Sequence, residues 1–246
     1  TQVRDHLLDK GLAPATVTHC LAIVRQAFNK AASWSVWSGD NPTKQVDKPK
    51  IDNSKVRVLT PEEEVRLLTA LREKSFTVYA MSLVSLYAGL RFDEIARLEW
   101  QSVHFAARRI QVVGRGDKIR SVPVCESLRR LFSRIKPIGA APTDLIFPNA
   151  KGGVRRKLSA TFPRVVKALG LNKGSDTRQR VDFNCLRHTF VARLASRGAS
   201  LHMLKDLLGH ADLQMVSRYS KWQPAKPELA LKALEGLNTD MREYHR

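Results

Sequence analysis

The sequence predicts a mainly α-helical protein carrying one small β-hairpin, and three observations lead there. Apolar residues recur at helical spacing in most segments, often with Ser, Thr or Asp in front of the run and Gly behind it. Strand-like alternation flanks a single Gly-rich turn, at 109–113 and 119–124. A charged stretch with Pro49 and no apolar period, Val46-Asp47-Lys48-Pro49-Lys50-Ile51-Asp52-Asn53-Ser54-Lys55, separates an amino-terminal helical unit from the rest. These divide the chain into a helical unit at 1–45, a basic linker at 46–58 and a main unit at 59–246, whose last part, 224–246, is a tail or helix.

In chain order, Pro14 opens a helix that runs to about Trp34. Val17, Cys20 or Leu21, Val24 and Phe28 share its inner face, with Arg25 and Lys30 among the polar positions. Thr60, Pro61 and Glu63 form a capping box, feeding an expected stripe of Val65, Leu68 and Leu71. Met81, Val84 and Leu86 belong to the next helix, which Gly89 ends just before Arg91. After the hairpin, 137–144 reads as loop and Phe147 as an anchor. A basic helix is then expected from about 155 to 169, with Leu158, Phe162, Val165 and Leu169 inside. Its outward Arg156, Lys157, Arg164 and Lys167 are candidate phosphate contacts, with a plain solvated face as the alternative for each.

From Val181 to Trp222, an arginine, two histidines and a tyrosine recur between amphipathic segments. Leu186, Phe190 and Leu194 form the expected stripe of a helix that holds Arg187 and His188, and Gly198 ends it. Ser200 caps a second helix with Leu201, Leu204 and Leu208 inside, and Gly209 stops it immediately before His210. Asp212 caps a short third helix in which Val216 faces the core and Tyr219 follows one turn on. His210 has a plain alternative as a cap of helix carbonyls. His188, a quarter-turn from Arg187, reads as a structural histidine. Beyond Trp222, Pro224 and Pro227 precede an apolar-periodic segment at 229–237 containing Leu231, Leu234 and Leu237.

The 246 residues include 42 Lys and Arg against 23 Asp and Glu, a formal net charge of +19. An excess spread along the whole chain fits a folded surface that follows a polyanion, and by itself suits DNA, RNA or an anionic membrane equally. Cys20, Cys125 and Cys185 have neither zinc spacing nor an even count, so they read as buried small hydrophobes in a reducing compartment. There is no signal-peptide pattern and no long apolar run.

Arg187, the triplet Leu208-Gly209-His210 and Tyr219, nine residues after His210, resemble the second conserved box of the tyrosine recombinases, or phage-type integrases. The segment Tyr87-Ala88-Gly89-Leu90-Arg91-Phe92-Asp93-Glu94-Ile95-Ala96-Arg97-Leu98-Glu99-Trp100 resembles their first box. The likeness covers roughly residues 59–222. It implies a tyrosine recombinase catalytic fold preceded by part of a helical, SAM-like core-binding domain, to which Arg25, a candidate DNA contact, and the run Asn41-Pro42 belong. The first helices of that domain are expected to be missing from the sequence; a small amino-terminal unit is the alternative.

The chemistry implied is site-specific breakage and rejoining of DNA for a mobile genetic element, through a 3′-phosphotyrosyl intermediate. Tyr219 is the nucleophile, Arg91 and Arg187 clamp the phosphate, and His210 donates to it or places the phenol. No metal or nucleotide cofactor is expected. Two positions depart from the family pattern. Asn184 stands where a histidine is usual and cannot carry a proton. Arg115, at the tip of the hairpin, stands where the catalytic lysine is usual and is too basic to give one up readily, which leaves Lys118 on the same turn as candidate acid. Both tip residues are also candidate DNA contacts. The resemblance further implies a clamp of two domains around double-stranded DNA, a monomer in solution, a homotetramer on synapsed DNA coupled by a donated terminal helix, no membrane association, and a cytoplasmic, nucleoid-associated location in a bacterial or phage-derived setting. Asn184 and Arg115 motivate one alternative, a weakened relative that binds its site as an architectural or regulatory protein. A topoisomerase-like activity of the monomer is another.

Overall fold

The computed structural model describes residues 2–50, 56–114, 116–174 and 179–223. The chain separates into two units, Thr1–Ser54 and Lys55–Arg246. In the first, α1 (Gln2–Asp9) precedes α2 (Pro14–Ser33). α1, which the sequence reading did not foresee, buries none of its residues. Val17 and Leu21 are the buried positions of α2, so Leu21 and not Cys20 continues the inner face, and Val24 is exposed. The segment after α2 folds back through Asn41, whose amide donates to the Arg25 carbonyl at 2.9 Å and whose side-chain oxygen accepts from Thr43. Phe28 meets Trp37 edge-on, with ring centroids 5.2 Å apart.

The second unit begins where Leu59 N–H donates to Thr189 Oγ1 at 2.9 Å. Thr60 and Glu63 then form the expected capping box of α3 (Pro61–Lys74). The stripe differs from expectation. Glu64, Leu67 and Leu71 are buried, whereas Val65 is 64% exposed and Leu68 only half-buried. A carboxylate on the inner face hid the register; it is accepted there because Tyr87 Oη donates to it at 3.0 Å and Arg193 pairs with it.

The helix α4 (Phe76–Ala88) is buried on most sides, with Met81, Val84 and Leu86 all in the core as expected, and it ends at Gly89 with φ of 66°. A short α5 (Phe92–Ala96) follows. The sheet has three antiparallel strands in the order β1 (Val103–His104), β2 (Arg109–Val113), β3 (Ile119–Pro123). The predicted hairpin is β2–β3, with Val113 opposite Ile119; β1, two residues long, is too short to alternate visibly. Ile110, Val112 and Val122 bury one face against α6 (Glu126–Ile135) and the rest of the main core.

The expected helix from 155 to 169 is only α7 (Thr161–Ala168). Residues 155–160 are not helical: Arg155 Nε donates to the Phe147 carbonyl at 3.1 Å and Ser159 Oγ accepts from the Thr161 N–H, anchoring an irregular entry instead. Phe162, Val165 and Val166 are the buried positions. α8 (Phe183–Ser196) also departs from a simple stripe. It is buried nearly all round, through Cys185, Leu186, Thr189, Val191 and Ala195, with Phe190 and Leu194 only half-covered. α9 (Leu201–Leu208) begins as predicted, Ser200 accepting from Met203 N–H; α10 (Gln214–Ser217) starts one residue later than a cap at Asp212 requires, with Leu213 at the cap and Asp212 accepting from Gln214 N–H just ahead of it. A second, smaller core forms here from Val191, Leu204, Leu208, Val216 and Tyr219. Of the cysteines, Cys185 is buried and Cys20 half-buried, but Cys125 is exposed at the cap of α6, so the reading of three buried thiols fails there. The segment 229–237 lies outside the described residues.

At Gly89 a Cβ would sit in left-handed backbone and 2.5 Å from Cδ1 of Phe190. Gly89→Ala therefore adds backbone strain to overpacking, and is expected to lower the unfolding free energy by about 2–4 kcal/mol. Urea titration of both proteins checks this. A midpoint unchanged within error would mean that the turn relaxes freely.

Candidate active site

The site is assembled around the carboxylate of Glu94, which α5 carries one turn after Arg91. Glu94 receives the Arg91 backbone N–H at 2.8 Å and the Arg91 Nη1 at 3.4 Å. From β3, Arg120 meets it through two parallel bonds of 2.8 Å each, and from α8 Arg187 Nη1 lies 3.7 Å away. Burial alone would raise the Glu94 carboxyl, but the hydrogen bonds and charge of Arg120, then the Arg91 backbone and the charge of Arg187, hold it below the usual carboxylate range.

Arg187 is 5% exposed. Its Nη1 donates to the Gly89 carbonyl at 2.6 Å and its Nη2 to the Leu208 carbonyl at 2.9 Å, so the two helix-ending turns predicted at Gly89 and Gly209 fix its fork. His210 comes next. Its Nε2 stands 3.0 Å from Arg91 Nη2 and 3.2 Å from Arg187 Nη2. Guanidinium groups only donate, so Nε2 accepts and the imidazole proton resides on Nδ1, which is buried and has no hydrogen-bond partner among the described residues. Burial first, and then the charges of Arg187 and Arg91, push the His210 pKa down to about 4. Arg91, Arg187 and His210 thus converge on one point, and Arg91 and His210 face a groove of about 1280 Å³ that Lys118 and Arg120 of the hairpin line from the other side.

Tyr219, 3% exposed, lies in the smaller core with its ring 5.9 Å from that of Trp222. Its hydroxyl is 2.5 Å from Nδ1 of His188. Burial raises the phenol pKa, against the pull of Arg218, Arg187 and Arg91. His188 is pushed down to about 4, by burial above all.

The remaining predicted residues fall elsewhere. Asn184 is exposed in the first turn of α8 and does not line the groove. Arg115 lies outside the described residues. Arg156, Lys157, Arg164 and Lys167 are exposed but do not line the groove, and Arg25, in the first unit, is turned inward, its Nη2 donating to the Thr43 carbonyl at 2.7 Å. Sequence reasoning missed Arg120 and set His188 aside. Arg120 had a signal, since alternation in β3 puts it on the same face as buried Val122, a place where an arginine needs a buried counter-charge. His188 gave none beyond its neighbour. Among the described residues no group of His, Cys, Asp and Glu is placed to hold a metal ion, and no helix is long and apolar enough to cross a membrane.

Residues 57–226 match the model of the phage integrase family. The tyrosine recombinase XerD of Staphylococcus aureus is 28% identical over 225 residues, covering 87% of this chain and 74% of the relative. XerD of Listeria innocua is 29% identical over 228 residues, with 86% and 73% covered. Among solved structures, the Tn1549 transposon integrase in complex with transposon right end DNA aligns with a TM-score of 0.73 at 21% identity, over 96% of this chain and 83% of that one. A lambda integrase dimer bound to a COC′ core site aligns with a TM-score of 0.66 at 20% identity, over 88% and 61%. At these identities the structures establish a common fold.

The two imidazoles give the second unit a defined response to acid. Unfolded, they take up protons near their ordinary value of 6.5; folded, not until about 4. The unfolded chain therefore binds more protons between those values, and stability is complete above about pH 6.5 and falls as pH drops toward 4. For the more buried His188 the loss is on the order of 2 kcal/mol. Urea midpoints at pH 7 and pH 5 measure it, with His188→Gln expected to remove about half the difference. Equal midpoints at the two pH values would refute the assignment.

Proposed function

The chain belongs to the phage integrase family, and on that footing we propose that it is a site-specific recombinase that breaks and rejoins double-stranded DNA through a 3′-phosphotyrosyl intermediate. The observation that carries the reading is the convergence of Arg91, Arg187 and His210, with the Tyr219 phenol near enough to feel the charges of Arg187 and Arg91. Both guanidinium groups donate to one acceptor, His210 Nε2. A scissile phosphate supplies better acceptors. When its nonbridging oxygens take over those donors, the clamp neutralises the charge that grows in the pentacoordinate transition state, and the released imidazole, shifted to the tautomer that carries its proton on Nε2, donates to the same phosphate.

Tyr219 attacks phosphorus, the bond to the 5′-oxygen breaks, and that oxygen leaves with a proton. Lys118, exposed on the groove-lining turn, is the candidate donor, because Arg115 and Asn184 are poorly suited to proton transfer. The formal charge of +19 supports binding along the phosphate backbone, and Arg156, Lys157, Arg164 and Lys167, all exposed, are the proposed contacts. The protein is further proposed to be a monomer in solution and a tetramer on synapsed DNA, acting in the cytoplasm on the nucleoid. Light scattering with and without a synapsed site reads the assembly.

A nicked suicide substrate bearing the cognate site should trap Tyr219 as a covalent 3′ adduct once the short 5′ fragment departs. Tyr219→Phe is expected to abolish the adduct while leaving DNA affinity within about threefold, since only the nucleophilic oxygen is lost. Lys118→Ala should slow cleavage by about 10²–10⁴-fold on ordinary DNA and be restored by a 5′-bridging phosphorothiolate, whose sulfur leaves without a proton. A wild-type protein that binds its site and forms no adduct on either substrate would overturn the recombinase reading.

Affinity should also fall steeply with salt. With six or more phosphates neutralised, the loss between low and physiological ionic strength is expected to be about 10³-fold or greater. A flat plot of log K against log salt contradicts the proposed DNA-binding surface.

A further inference from the structure

Tyr219 cannot act as it stands. Its hydroxyl is buried and its pKa is raised, burial outweighing the pull of Arg218, Arg187 and Arg91, so the attacking oxygen carries a proton that some group has to remove. Asn184, at the position where the resemblance calls for a histidine, cannot take a proton and is turned to solvent. His210 is held by its Nε2 to Arg91 and Arg187 and, once a phosphate has displaced it, is engaged on that phosphate. Among the described residues, the imidazole in contact with the phenol is that of His188, whose Nδ1 lies 2.5 Å from the hydroxyl oxygen.

We propose that His188 is the general base of this recombinase, taking the phenolic proton of Tyr219 on Nδ1 as the oxygen attacks the scissile phosphorus. The inference rests on the recombinase reading given above. A phenol is a much stronger acid than a neutral imidazole N–H, so in this pair the hydroxyl donates and the ring nitrogen accepts. The proton on the ring then sits on Nε2. The step balances: the phenol O–H bond breaks and Nδ1–H forms, the phenol oxygen bonds to phosphorus, and the bond from phosphorus to the 5′-oxygen breaks, with the leaving oxygen protonated from the hairpin side. In religation the imidazolium returns the proton to the phenol oxygen.

The charged groups around His188 suit that cycle. Burial is the largest influence holding it neutral; Asp182, the cap of its own helix, favours the proton, while Arg218 from the segment before Tyr219 and Arg187 from α8 oppose it. DNA changes this balance in one direction. A phosphate clamped by Arg91 and Arg187 brings negative charge beside the ring and offsets the guanidinium that repels the proton. The base therefore strengthens when substrate is in place, and in free protein the neutral ring holds the phenol as an unreactive, hydrogen-bonded pair.

The test is single-turnover cleavage of the suicide substrate from pH 5 to pH 10, with an ordinary phosphate and with the 5′-bridging phosphorothiolate. On the phosphorothiolate, whose departure needs no acid, the wild-type rate should rise as one group loses its proton and level off by about neutral pH. His188→Gln keeps an acceptor for the hydroxyl but cannot hold a proton. It is expected to bind DNA normally, to cleave about 10²–10³-fold more slowly at pH 7, to gain about tenfold per pH unit into the alkaline range, and to stay slow on the phosphorothiolate, the reverse of Lys118→Ala. A Gln variant that is within threefold of wild type, faster than it, or slowed with the wild-type pH profile would show that His188 only holds or latches the tyrosine, and would overturn the proposal. Should the variant fail to bind DNA, the wild-type profile decides alone: a rate still climbing above pH 8 sinks the base. No wild-type adduct on either substrate removes the recombinase reading and this inference together, whereas a wild-type adduct with an unaltered Gln profile removes only the inference.

Discussion

A single buried carboxylate holds the active centre together. Arg91, Arg120 and Arg187 arrive from α5, β3 and α8, and like charges brought this close repel one another strongly where water is excluded. Glu94 touches all three, and its two-bond contact with Arg120 leaves Arg91 half-exposed toward the groove. Breaking such a buried pair by removing one partner typically costs about 3–5 kcal/mol, because the remaining charges are left uncompensated. The carboxylate thus makes it possible to concentrate positive charge where a phosphate is to be bound, without that concentration unfolding the segments that carry it.

The proposed nucleophile is held by a different force. Tyr219 belongs to the apolar cluster of Val191, Leu204, Leu208 and Val216, between α8 and α9. Those helices also carry Arg187 and deliver His210 through the Gly209 turn, so the arginine cluster and the phenol share a scaffold while relying on separate interactions, ionic on one side and apolar on the other. Among the described residues, the His188 contact links the phenol to a polar partner.

How far the chain could be read follows from the range of each signal. Thr60, Ser200, Gly89 and Gly209 act within a turn of their own position, and all four lie where the sequence put them. The hairpin was legible for the same reason. The ion pair of Arg120 with Glu94 spans 26 residues, the His188–Tyr219 contact 31, and the Arg91–His210 contact 119. Beyond the place of Arg120 on the buried face of β3, such pairs leave no local trace, and only the resemblance to known boxes brought Arg91, Arg187, His210 and Tyr219 together in advance. Errors of register had a physical origin too. Glu64 sits on the inner face of α3 because Tyr87 and Arg193 satisfy it, and a rule that sends carboxylates to solvent will misplace the stripe there.

The hairpin is tethered near its tip. Arg120 Nε also donates to the Leu207 carbonyl at 2.8 Å, and its side chain packs so close to Gly209 that a Cβ there would meet Arg120 Cδ at 3.1 Å. β3 is therefore pinned to the end of α9 two residues from Lys118, a span of about 7 Å along a strand. Gly116 and Asp117, both at positive φ, lie outboard of that anchor. The anchor thus ties the position of Lys118 to the end of α9 and the Gly209 turn, which delivers His210 to the same groove.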